Sequence, residues 1–365
     1  MSRYTGGMQP DTDMQRLMTD IRQWAAELGF DELGVARPAL GTDEAHLLRW
    51  LKDGRHGTMR WMARHGTKRA HPERLVPGTV RIISVRMDYR PPDLEADAVI
   101  LNEPRRAFIA RYALGRDYHK LLRKRLQKLA DRIETAVGAF GYRVFVDSGP
   151  VLEKALGRNA GLGWIGKNTL LLNRHAGSYF FLGELFTDLP LPEDPPVEDL
   201  CGSCRACIDV CPTGAITGPR QLDARRCVSY LTIEHEGSIP EELRAAIGNR
   251  VFGCDDCQAV CPWNRYAQPT DEGDFHPRHG LEAATLVELF RWDEATFLKR
   301  TEGSAIRRLG HERWLRNLAV ALGNGPADDA AIQALGERLH HPSALVREHT
   351  RWALERLTGA SDGSG

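Results

Sequence analysis

The stretch that decides the class of this protein is Cys201-Gly202-Ser203-Cys204-Arg205-Ala206-Cys207-Ile208-Asp209-Val210-Cys211-Pro212. Its spacing, C-x2-C-x2-C-x3-C-P, is that of the bacterial ferredoxins, in which three closely spaced thiolates bind three irons of one cubane. The fourth cysteine, turned away by the proline that follows it, binds an iron of a second cluster. The stretch predicts a ferredoxin-like domain with two 4Fe–4S clusters.

A second half-motif further along the chain supplies the remaining ligands. It reads Cys254-x2-Cys257-x3-Cys261-Pro262 and lacks the leading cysteine, a role that Cys227 can fill from a distance. The crossed ligation of two-cluster ferredoxins then divides the eight cysteines into two sets of four. The first set is Cys201, Cys204, Cys207 and Cys261, and the second is Cys211, Cys227, Cys254 and Cys257.

Two tetrahedral zinc sites are the alternative, because zinc also suits C-x2-C pairs. Zinc does not explain the longer C-x2-C-x2-C-x3-C-P run, so clusters are the preferred interpretation. All eight cysteines lie between Cys201 and Cys261. In a reducing compartment such a group favours metal ligation over disulfides.

Composition sets broader limits. The 365 residues hold 49 Lys and Arg against 49 Asp and Glu, with 42% hydrophobic and 27% charged residues. These values describe a globular protein of two or three domains and exclude a uniformly basic nucleic-acid coat. No apolar run approaches the ~18 residues of a membrane-spanning helix, and residues 1–10 carry no export signal. We therefore expect a cytoplasmic protein.

The organisation along the chain predicts an α+β multidomain protein. The expected domains are an α/β domain over residues 1–195, a ferredoxin-like domain over 196–275 and an all-helical domain over 276–365. In the first, periodicity predicts helices over 14–28 and 118–137 and strands over 80–87, 142–146 and 178–186. Residues 188–199, rich in proline and acid, are expected to form a linker or a covering loop.

The C-terminal part contains two similar helical stretches, 315–322 and 346–354, about 31 residues apart. This separation is close to that of helical repeats and favours a HEAT-like arrangement. An ordinary helical cap is the alternative. The small, polar residues 359–365 are expected to be disordered.

Residues 161–168 (GLGWIGKN) satisfy both the dinucleotide fingerprint and most of a phosphate-binding loop. Both mechanisms need a strand before the loop and a helix after it. Here the predicted order is inverted, with a helix over 150–159 and a strand over 169–173. We reject both interpretations, which leaves a loop that approaches another large ligand, or a plain tight turn.

Asp147 follows the predicted strand 142–146 and precedes Ser148, Gly149 and Pro150. A carboxyl group at a strand end beside a glycine loop can act as a general acid. The alternative is an N-cap for a helix that begins at Pro150. Local sequence favours the N-cap.

Longer motifs carry a family resemblance in addition to the ferredoxin run. The sequence resembles the epoxyqueuosine reductase family over nearly the whole chain. The motifs in the first part are residues 111–120 (RYALGRDYHK), 146–148 (VDS) and 160–168 (AGLGWIGKN). Those in the second part are residues 201–204 (CGSC), 211–215 (CPTGA), 222–232 (LDARRCVSYLT), 248–250 (GNR) and 253–258 (GCDDCQ).

The resemblance implies a cobalamin enzyme that removes the epoxide oxygen from epoxyqueuosine at the wobble position of tRNA, the last step of queuosine synthesis. It places base-off cobalamin between the α/β and ferredoxin-like domains and gives the helical domain a part in binding tRNA. It implies that Asp147 is the proton donor, and a carboxyl group shielded from water, with a raised pKa, would suit that role. The residues it implies at the cobalamin are Arg69, Asp147, Lys167, Asn168, Ser229, Gly253, Asp255 and Asp256.

Two basic patches are candidates for binding tRNA phosphates. Residues 101–130 hold nine basic and two acidic side chains, and residues 299–316 hold six and two. A solvated helix face is the alternative for each patch, but the resemblance favours the second as a contact with the anticodon stem-loop. The expected contacts are Arg307, Arg308, Arg313 and Trp314.

Two other functions compete with a tRNA-base reductase. A reductive dehalogenase pairs the same two cofactors, but typically carries a twin-Arg export signal and has no need of a basic helical domain. A ferredoxin module that only transfers electrons would bind no cobalamin. The family further implies a monomer that receives electrons from a reductant protein, whose identity the sequence does not give.

Overall fold

The computed structural model describes residues 10–359, and the side chains of residues 13–359. The expectations for an export signal in residues 1–10 and for disorder in the C-terminal tail therefore fall almost entirely outside the described residues. Within the described part, no helix is both long and apolar enough to cross a membrane.

Helices and strands are both numerous in the described chain. The helices are α1 (Pro10–Glu27), α2 (Asp43–Lys52), α3 (Pro72–Leu75), α4 (Asp97–Leu101), α5 (Tyr118–Val137), α6 (Glu153–Asn159), α7 (Ala206–Asp209), α8 (Glu241–Ile247), α9 (Asp256–Ala259), α10 (Leu286–Phe290), α11 (Glu294–Arg300), α12 (His311–Gly323), α13 (Asp329–Gly336) and α14 (Ala344–Thr358). The strands are β1 (Glu32–Ala36), β2 (Arg81–Asp88), β3 (Phe108–Ile109), β4 (Tyr142–Phe145), β5 (Trp164–Ile165), β6 (Leu171–Leu172), β7 (Phe180–Thr187), β8 (Ile216–Gly218), β9 (Gln221–Leu222) and β10 (Arg250–Phe252).

A four-stranded sheet in the order β1-β2-β7-β4 forms the centre of the first part, and all three pairings are antiparallel. The antiparallel order makes this part an α+β unit rather than the expected α/β domain. The expected strands match β2, β4 and β7 to within two residues. Alternation of apolar residues predicts a strand but does not give the direction of its partner. The mixed helical and sheet content of the predicted α+β protein is confirmed.

Helices α1 and α5 cover one face of this sheet. Leu17 and Ile21 of α1 and Leu122 and Leu126 of α5 are completely buried against strand residues such as Leu185. These side chains recur three or four residues apart, so each helix presents a single apolar stripe to the sheet. The predicted helices 14–28 and 118–137 correspond to α1 and α5.

Helix α6 covers the opposite face. Leu156 of α6 packs there against Phe145 and Phe186 in an apolar layer. The helix end lies so close to β1 that a Cβ on Gly34 would stand 1.9 Å from the carbonyl oxygen of Ala160. Glycine at position 34 therefore sets how closely α6 approaches the sheet.

The acidic, proline-rich residues 188–199 form a covering segment without regular structure, as one of the two sequence interpretations expected. Asp194 accepts hydrogen bonds from the Arg22 side chain at 2.6 and 2.7 Å and from the Val35 backbone N–H at 2.9 Å. Glu193 pairs with Arg37 and Arg81. Basic residues of the first part thus hold the segment against β1 and β2.

The cysteine-rich part places its two cysteine motifs side by side. Helix α7 carries Cys207, helix α9 carries Cys257, and the two helices pack against each other. Strand β10 pairs in parallel with β3 of the first part. The two parts are therefore joined by backbone hydrogen bonds as well as by side chains.

The C-terminal part is helical, as predicted. Helices α12 and α14, which contain the two similar stretches, pack against each other, and a Cβ on Gly323 would lie 2.8 Å from the Cα atom of Ala353. Arg316 of α12 is completely buried and donates to the carbonyls of Leu231, His235 and Gly237. This arginine ties the helical part to the cysteine-rich part.

The domain boundaries at 195/196 and 275/276 stay a prediction. One apolar core contains residues from all three parts, among them Ala113 and Leu114, Phe252 and Leu318. Residues 107–114 therefore pack with the C-terminal helices although they precede the first boundary.

Candidate active site and cluster sites

Asp147 lies just beyond the end of β4, in a left-handed backbone conformation with φ of 36°. Such a conformation is uncommon for a residue with a side chain and costs on the order of 1 kcal/mol or more. The Asp147 backbone N–H donates a hydrogen bond to Glu153 Oε1. Helix α6 begins only at Glu153, and its N-cap position is Leu152. The local interpretation of Asp147 as an N-cap is wrong.

The Asp147 side chain is part of a row of three titratable groups. Its Oδ2 atom lies 3.0 Å from His119 Nε2, and His119 Nδ1 lies 2.6 Å from Asp117 Oδ1. Asp117 is the N-cap of α5, and its side chain also accepts the His119 backbone N–H at 3.1 Å. Both ring nitrogens of His119 therefore face a carboxylate.

This arrangement favours a charged imidazole. Burial works against the charge on His119, but the hydrogen bonds that it donates to Asp117 and Asp147 outweigh burial and raise the pKa of His119 to about 9. Burial also acts to raise the pKa of Asp147, but the hydrogen bonds from His119 and Tyr118 hold it below its usual value. The expectation of a shielded Asp147 carboxyl with a raised pKa is wrong, because its side chain is 53% exposed and has a cationic neighbour.

Tyr118 fixes the second contact of Asp147. Its hydroxyl donates to Asp147 Oδ2 at 2.8 Å, and its ring stacks on Phe181 with centroids 3.8 Å apart. The His119 ring also stacks on the Tyr118 ring, with centroids 4.2 Å apart. Because Tyr118 is held by the core of the first part, Asp147 has a rigid partner at the N-terminus of α5.

The side chains of Asp147 and Lys154 open to solvent in the same region. Both side chains are accessible to water, yet burial by surrounding protein lowers the pKa of Lys154. These two side chains therefore lie in a region that is open to solvent yet enclosed by protein, which we call the cleft. Lys154 Nζ donates to the carbonyl of Thr169 at 2.7 Å and so ties the cleft to the glycine loop.

Arg69 lines the same region. Its guanidinium donates to the carbonyls of Gly149, at 3.4 Å, and Trp61, at 3.1 Å, and lies over the Trp61 ring. The side chain is almost completely buried, and its Nε–H has no partner among the described residues. A buried donor without a partner suits a ligand edged with carbonyl groups, such as the amide side chains of a corrin.

The glycine loop is part of a β-hairpin, since it contains β5, which pairs antiparallel with β6. This confirms that it is neither a dinucleotide nor a phosphate loop of the strand-to-helix type. Lys167 Nζ donates to the carbonyls of Gly202 and Cys204, both at 2.7 Å. Asn168 is buried and donates to the carbonyl of Cys257 at 3.2 Å. The hairpin therefore lies between the Asp147 cleft and the cysteines.

Ser229 and Gly253 lie beside the second group of cysteines. Ser229 Oγ is 3.5 Å from the carbonyl oxygen of Cys254. Gly253 has a positive φ of 72°, and a Cβ there would stand 2.5 Å from the Cβ atom of Ala110. Its backbone N–H donates to Thr232 Oγ1 at 2.9 Å. Only glycine fits this crossing of two chain segments.

The carboxylates of Asp255 and Asp256 are already engaged within the protein. Asp255 accepts the backbone N–H of Arg111 at 2.7 Å, and burial raises its pKa to about 7. Asp256 forms a two-pronged ion pair with Arg250 and accepts from Cys254 Sγ at 2.7 Å. Both side chains are buried, so neither carboxylate is free to contact a ligand.

The first set of cysteines surrounds a common space. Cys201, Cys204, Cys207 and Cys261 line one cavity, together with Lys167 and Trp263 among others. Burial raises the pKa of Cys207, and the next largest effects come from Cys261, Cys201 and Cys204. Two hydrogen-bond donors face cysteine sulfurs nearby, Trp164 Nε1 to Cys201 at 3.4 Å and the Ala215 backbone N–H to Cys211 at 3.2 Å.

The second set is also grouped. Burial raises the pKa of Cys257, and Cys227, Cys207 and Cys211 are among the charges that add to the effect. Cys227 and Cys254 pack against the same small apolar cluster. All eight cysteines are free thiols.

The spacing of the cysteines bears on the zinc alternative. Within the described part of the chain, no three His, Cys, Asp or Glu side chains are close enough to bind one metal ion. A tetrahedral zinc would hold its sulfurs about 3.8 Å apart, whereas in a cubane each thiolate binds a different iron and the sulfurs stand wider. The preference for clusters rests on the C-x2-C-x2-C-x3-C-P spacing of the sulfur donors, which single zinc ions do not explain.

Arg307 and Arg308 are exposed, as a nucleic-acid contact requires. They lie in a short helical turn, Ala305–Leu309, just before α12. The positive charge of Arg308 also lowers the pKa of Asp147, by less than the hydrogen bonds from His119 and Tyr118 do. Burial, the largest effect, acts in the opposite direction. The exposed turn therefore stands at the edge of the Asp147 cleft.

Two of the expected tRNA contacts have structural roles instead. Trp314 is 0% exposed and stacks on Trp292, so the expectation of a tRNA contact there is wrong. Arg313 is half-buried and donates to the carbonyls of Leu309, Ile233 and Arg308. Arg316, counted in the same basic patch, is completely buried. Charge counts along a helix cannot separate exposed arginines from those that cap buried carbonyls.

Sequence reasoning missed several residues of this site. Asp117, Tyr118 and His119 were part of a family motif but received no role, although Asp-x-His at the start of a predicted helix is the signal that could have found them. Glu153 and Lys154 belonged to a stretch interpreted only as helical.

The comparisons with known proteins agree with this geometry. Residues 69–148 match the family model described as "Epoxyqueuosine reductase QueG, DUF1730", and residues 200–264 match the model of a "4Fe-4S double cluster binding domain". The first range contains Arg69, Asp117, His119 and Asp147, and the second contains all eight cysteines.

Curated relatives extend the likeness to nearly the full chain. Epoxyqueuosine reductase of Pseudomonas aeruginosa is 63% identical over 345 residues, which are 94% of this chain and 95% of that protein. The enzyme of the same name from Escherichia coli is 56% identical over 95% of this chain and 91% of its own length.

Solved structures agree in fold. A crystal structure of epoxyqueuosine reductase with an epoxyqueuosine-modified tRNA-Tyr stem loop has a TM-score of 0.85 at 30% identity, covering 94% of this chain and 91% of that chain. A Bacillus subtilis epoxyqueuosine reductase, solved with its catalytic aspartate loop swung out of the active site, gives the same TM-score and coverage at 29% identity.

Proposed function

This chain belongs to the epoxyqueuosine reductase family, and we propose that it reduces epoxyqueuosine to queuosine at the wobble position of tRNA, the last step of queuosine synthesis. The observation that supports this best is the row Asp117–His119–Asp147, open to a cleft that is tied through one hairpin to eight free cysteines. Family membership does not favour a reductive dehalogenase or an electron-transfer module.

The reaction sets the demands on the site. Removal of an epoxide oxygen breaks both of its bonds to carbon, consumes two electrons and two protons, and releases water. In this proposal Asp147 is the group that delivers a proton to the departing oxygen, because its carboxyl is exposed in the cleft. A carboxyl with a lowered pKa can do so only when a neighbour supplies the proton.

His119 is that neighbour. Its Nε2 atom lies 3.0 Å from Asp147 Oδ2, and its pKa of about 9 keeps the ring protonated at neutral pH. Asp117 holds the opposite ring nitrogen and stabilises the imidazolium before transfer. One acid in contact with substrate and a second behind it match a reaction that needs two protons.

The electrons would reach the cleft through the two 4Fe–4S clusters. We assign Cys201, Cys204, Cys207 and Cys261 to one cluster and Cys211, Cys227, Cys254 and Cys257 to the other. The hydrogen bonds from Lys167 and Asn168 to the cysteine-bearing loops hold the clusters close to the cleft. A reductant protein is expected to load them.

Cobalamin in its base-off form would occupy the cleft, where it supplies a strongly reducing cobalt centre. The free Nε–H of Arg69 and the hairpin at Lys167 and Asn168 fit the edge of a corrin. Ser229, Gly253, Asp255 and Asp256 would line it mainly through backbone atoms, because their side chains are small or engaged elsewhere. Asp147 would face the substrate side.

The tRNA would bind across the cleft with its anticodon stem-loop near Arg307 and Arg308. Both are exposed, and the charge of Arg308 reaches Asp147. Arg313 would support this surface from below through its bonds to the turn. The α/β, ferredoxin-like and helical parts, with boundaries near 195 and 275, would form one cytoplasmic, monomeric enzyme around this cleft.

A deletion strain tests the proposal. Strains that lack this gene should accumulate epoxyqueuosine at the wobble position, and the wild-type gene should restore queuosine while Asp147→Asn should not. The purified Asp147→Asn protein should still bind cobalamin and retain the iron content of the wild type. A deletion strain whose tRNA contains queuosine and no epoxyqueuosine would refute the proposal.

A further inference from the structure

Glu184 is a carboxyl group in an apolar layer. It lies in the central strand β7, paired with Phe145 on one side and Ser84 on the other, and is 0% exposed. The face to which it points is the one covered by α6, where Phe145, Phe186 and Leu156 pack. Neither of its oxygens accepts a hydrogen bond from any donor among the described residues. An ionised carboxylate could not remain there without a partner.

The polar group that Glu184 meets is a second carboxyl. Glu153, at the first turn of α6, is the carboxyl group that acts on Glu184, since α6 packs against β7. Two ionised carboxylates are acceptors only and repel each other, so a contact between them needs a proton. Burial is the largest effect on both groups and raises the pKa of Glu153 to about 8 and that of Glu184 well above its usual value.

Glu153 also forms a hydrogen bond with the backbone of Asp147. Its Oε1 atom accepts the Asp147 backbone N–H, at the residue whose φ of 36° is unfavourable for an aspartate. Among the described residues, Glu153 is the one side chain that forms a hydrogen bond with the Asp147 backbone. The path from the sheet to the catalytic loop is therefore Glu184 to Glu153 to the Asp147 amide.

We propose that Glu153 and Glu184 share a proton and act as positioning residues that fix the conformation of the Asp147 loop. Protonated Glu184 donates to Glu153 and orients it, and Glu153 then accepts the Asp147 amide while Asp147 is in its left-handed conformation. The charged and titratable groups that surround Glu153 are Asp147, Glu184, Lys154, Arg69, His119 and Tyr118. The role of this pair in turnover rests on the proposed function.

Hydrogen exchange at the Asp147 amide tests the contact independently of turnover. In the cluster-loaded protein this amide should be protected, and Glu153→Ala should raise its exchange rate at least tenfold. Glu153→Gln keeps an oxygen acceptor and should preserve the protection. Glu184→Leu should also raise the rate, whereas Glu184→Gln, a permanent donor, should not. Unchanged protection in Glu153→Ala and Glu184→Leu, both with wild-type iron content, would overturn the proposal.

Kinetics separate positioning from a merely structural role. Glu153→Ala should lower kcat roughly tenfold to a hundredfold with KM for tRNA within about twofold, because a displaced acid affects the chemical step. Glu153→Gln should restore most of the loss. If Glu153→Ala turns over like the wild type, the positioning role is wrong even though the proposed function holds. If the wild type itself leaves epoxyqueuosine unreduced, the proposed function fails, and the exchange experiment still decides the contact.

Discussion

His119 stands between two carboxylates, with Nδ1 2.6 Å from Asp117 Oδ1 and Nε2 3.0 Å from Asp147 Oδ2. The first carboxylate caps helix α5 and the second faces the cleft. This pairing makes the imidazole a cation at neutral pH and Asp147 a carboxylate. A proton can therefore pass from His119 to Asp147 when the substrate oxygen takes one from Asp147.

Replacing His119 should slow turnover without weakening tRNA binding. We expect His119→Gln to lower kcat by about 10²-fold, the usual contribution of a positioned acid, with little change in KM. The wild-type kcat should fall as pH rises through about 9, where His119 loses its proton. Single-turnover rates from pH 6.5 to 10 test this, and a wild-type profile that rises through pH 9 would exclude His119 as the proton source.

The same pKa shift predicts a pH-dependent stability. The folded pKa of His119, about 9, lies above its ordinary value of 6.5. The stabilisation is therefore complete below about pH 6.5 and is lost as pH rises through about 9. Wild type should exceed His119→Gln in free energy of unfolding by up to roughly 3 kcal/mol at pH 6. The melting curves of the two proteins should differ at pH 6 and converge at pH 9.5. A gap that widens with pH would show the opposite sign.

Trp164 should tune the cluster that includes Cys201. Its indole N–H donates to Cys201 Sγ at 3.4 Å, and hydrogen bonds to cluster sulfurs raise the reduction potential. Trp164→Phe should lower that potential by on the order of 50 mV, since a hydrogen bond of ~1 kcal/mol corresponds to about 43 mV for one electron. Potentiometric titration followed by EPR checks this, with unchanged iron content as the control. A higher potential in the variant would contradict the assignment.

Charge reversal at Arg307 and Arg308 should weaken tRNA binding. Both are exposed beside the cleft. Loss of two phosphate contacts should raise the Kd for tRNA, and the slope of log Kd against log salt concentration should fall by about one to two. Binding measured over a salt series tests this. Trp314→Phe is the matched control, because Trp314 is buried and should leave the Kd unchanged. An unaltered salt dependence in the Arg307 and Arg308 variant would remove this surface from the binding site.

The parts of this fold that the sequence predicts are those governed by local spacing. Helix α5 matches its predicted range because its apolar residues repeat with helical periodicity and Asp117 caps it. The cluster-binding motif is equally predictable, since cluster ligation imposes a fixed spacing on the cysteines. The antiparallel order of the sheet was not predictable from strand patterns, because pairing depends on contacts distant in sequence.

The site was harder to predict for the same reason. His119 meets Asp147 across 28 residues, and Glu153 meets Glu184 across 31, so neither pair leaves a spacing that a single sequence reveals. Trp314 and Arg316 show the opposite failure. A basic, aromatic stretch looked like a nucleic-acid surface, yet these two side chains point into the protein, where Arg316 satisfies buried carbonyl groups.

The most direct test of the central claim is the mass of the wobble nucleoside after an anaerobic reaction. The purified chain, with both clusters and cobalamin bound and a chemical reductant present, is mixed with tRNA that carries epoxyqueuosine. The account predicts that the nucleoside loses one oxygen and becomes queuosine with the wild type, and stays unchanged with Asp147→Asn. Epoxyqueuosine that persists with the fully loaded wild-type protein would contradict it.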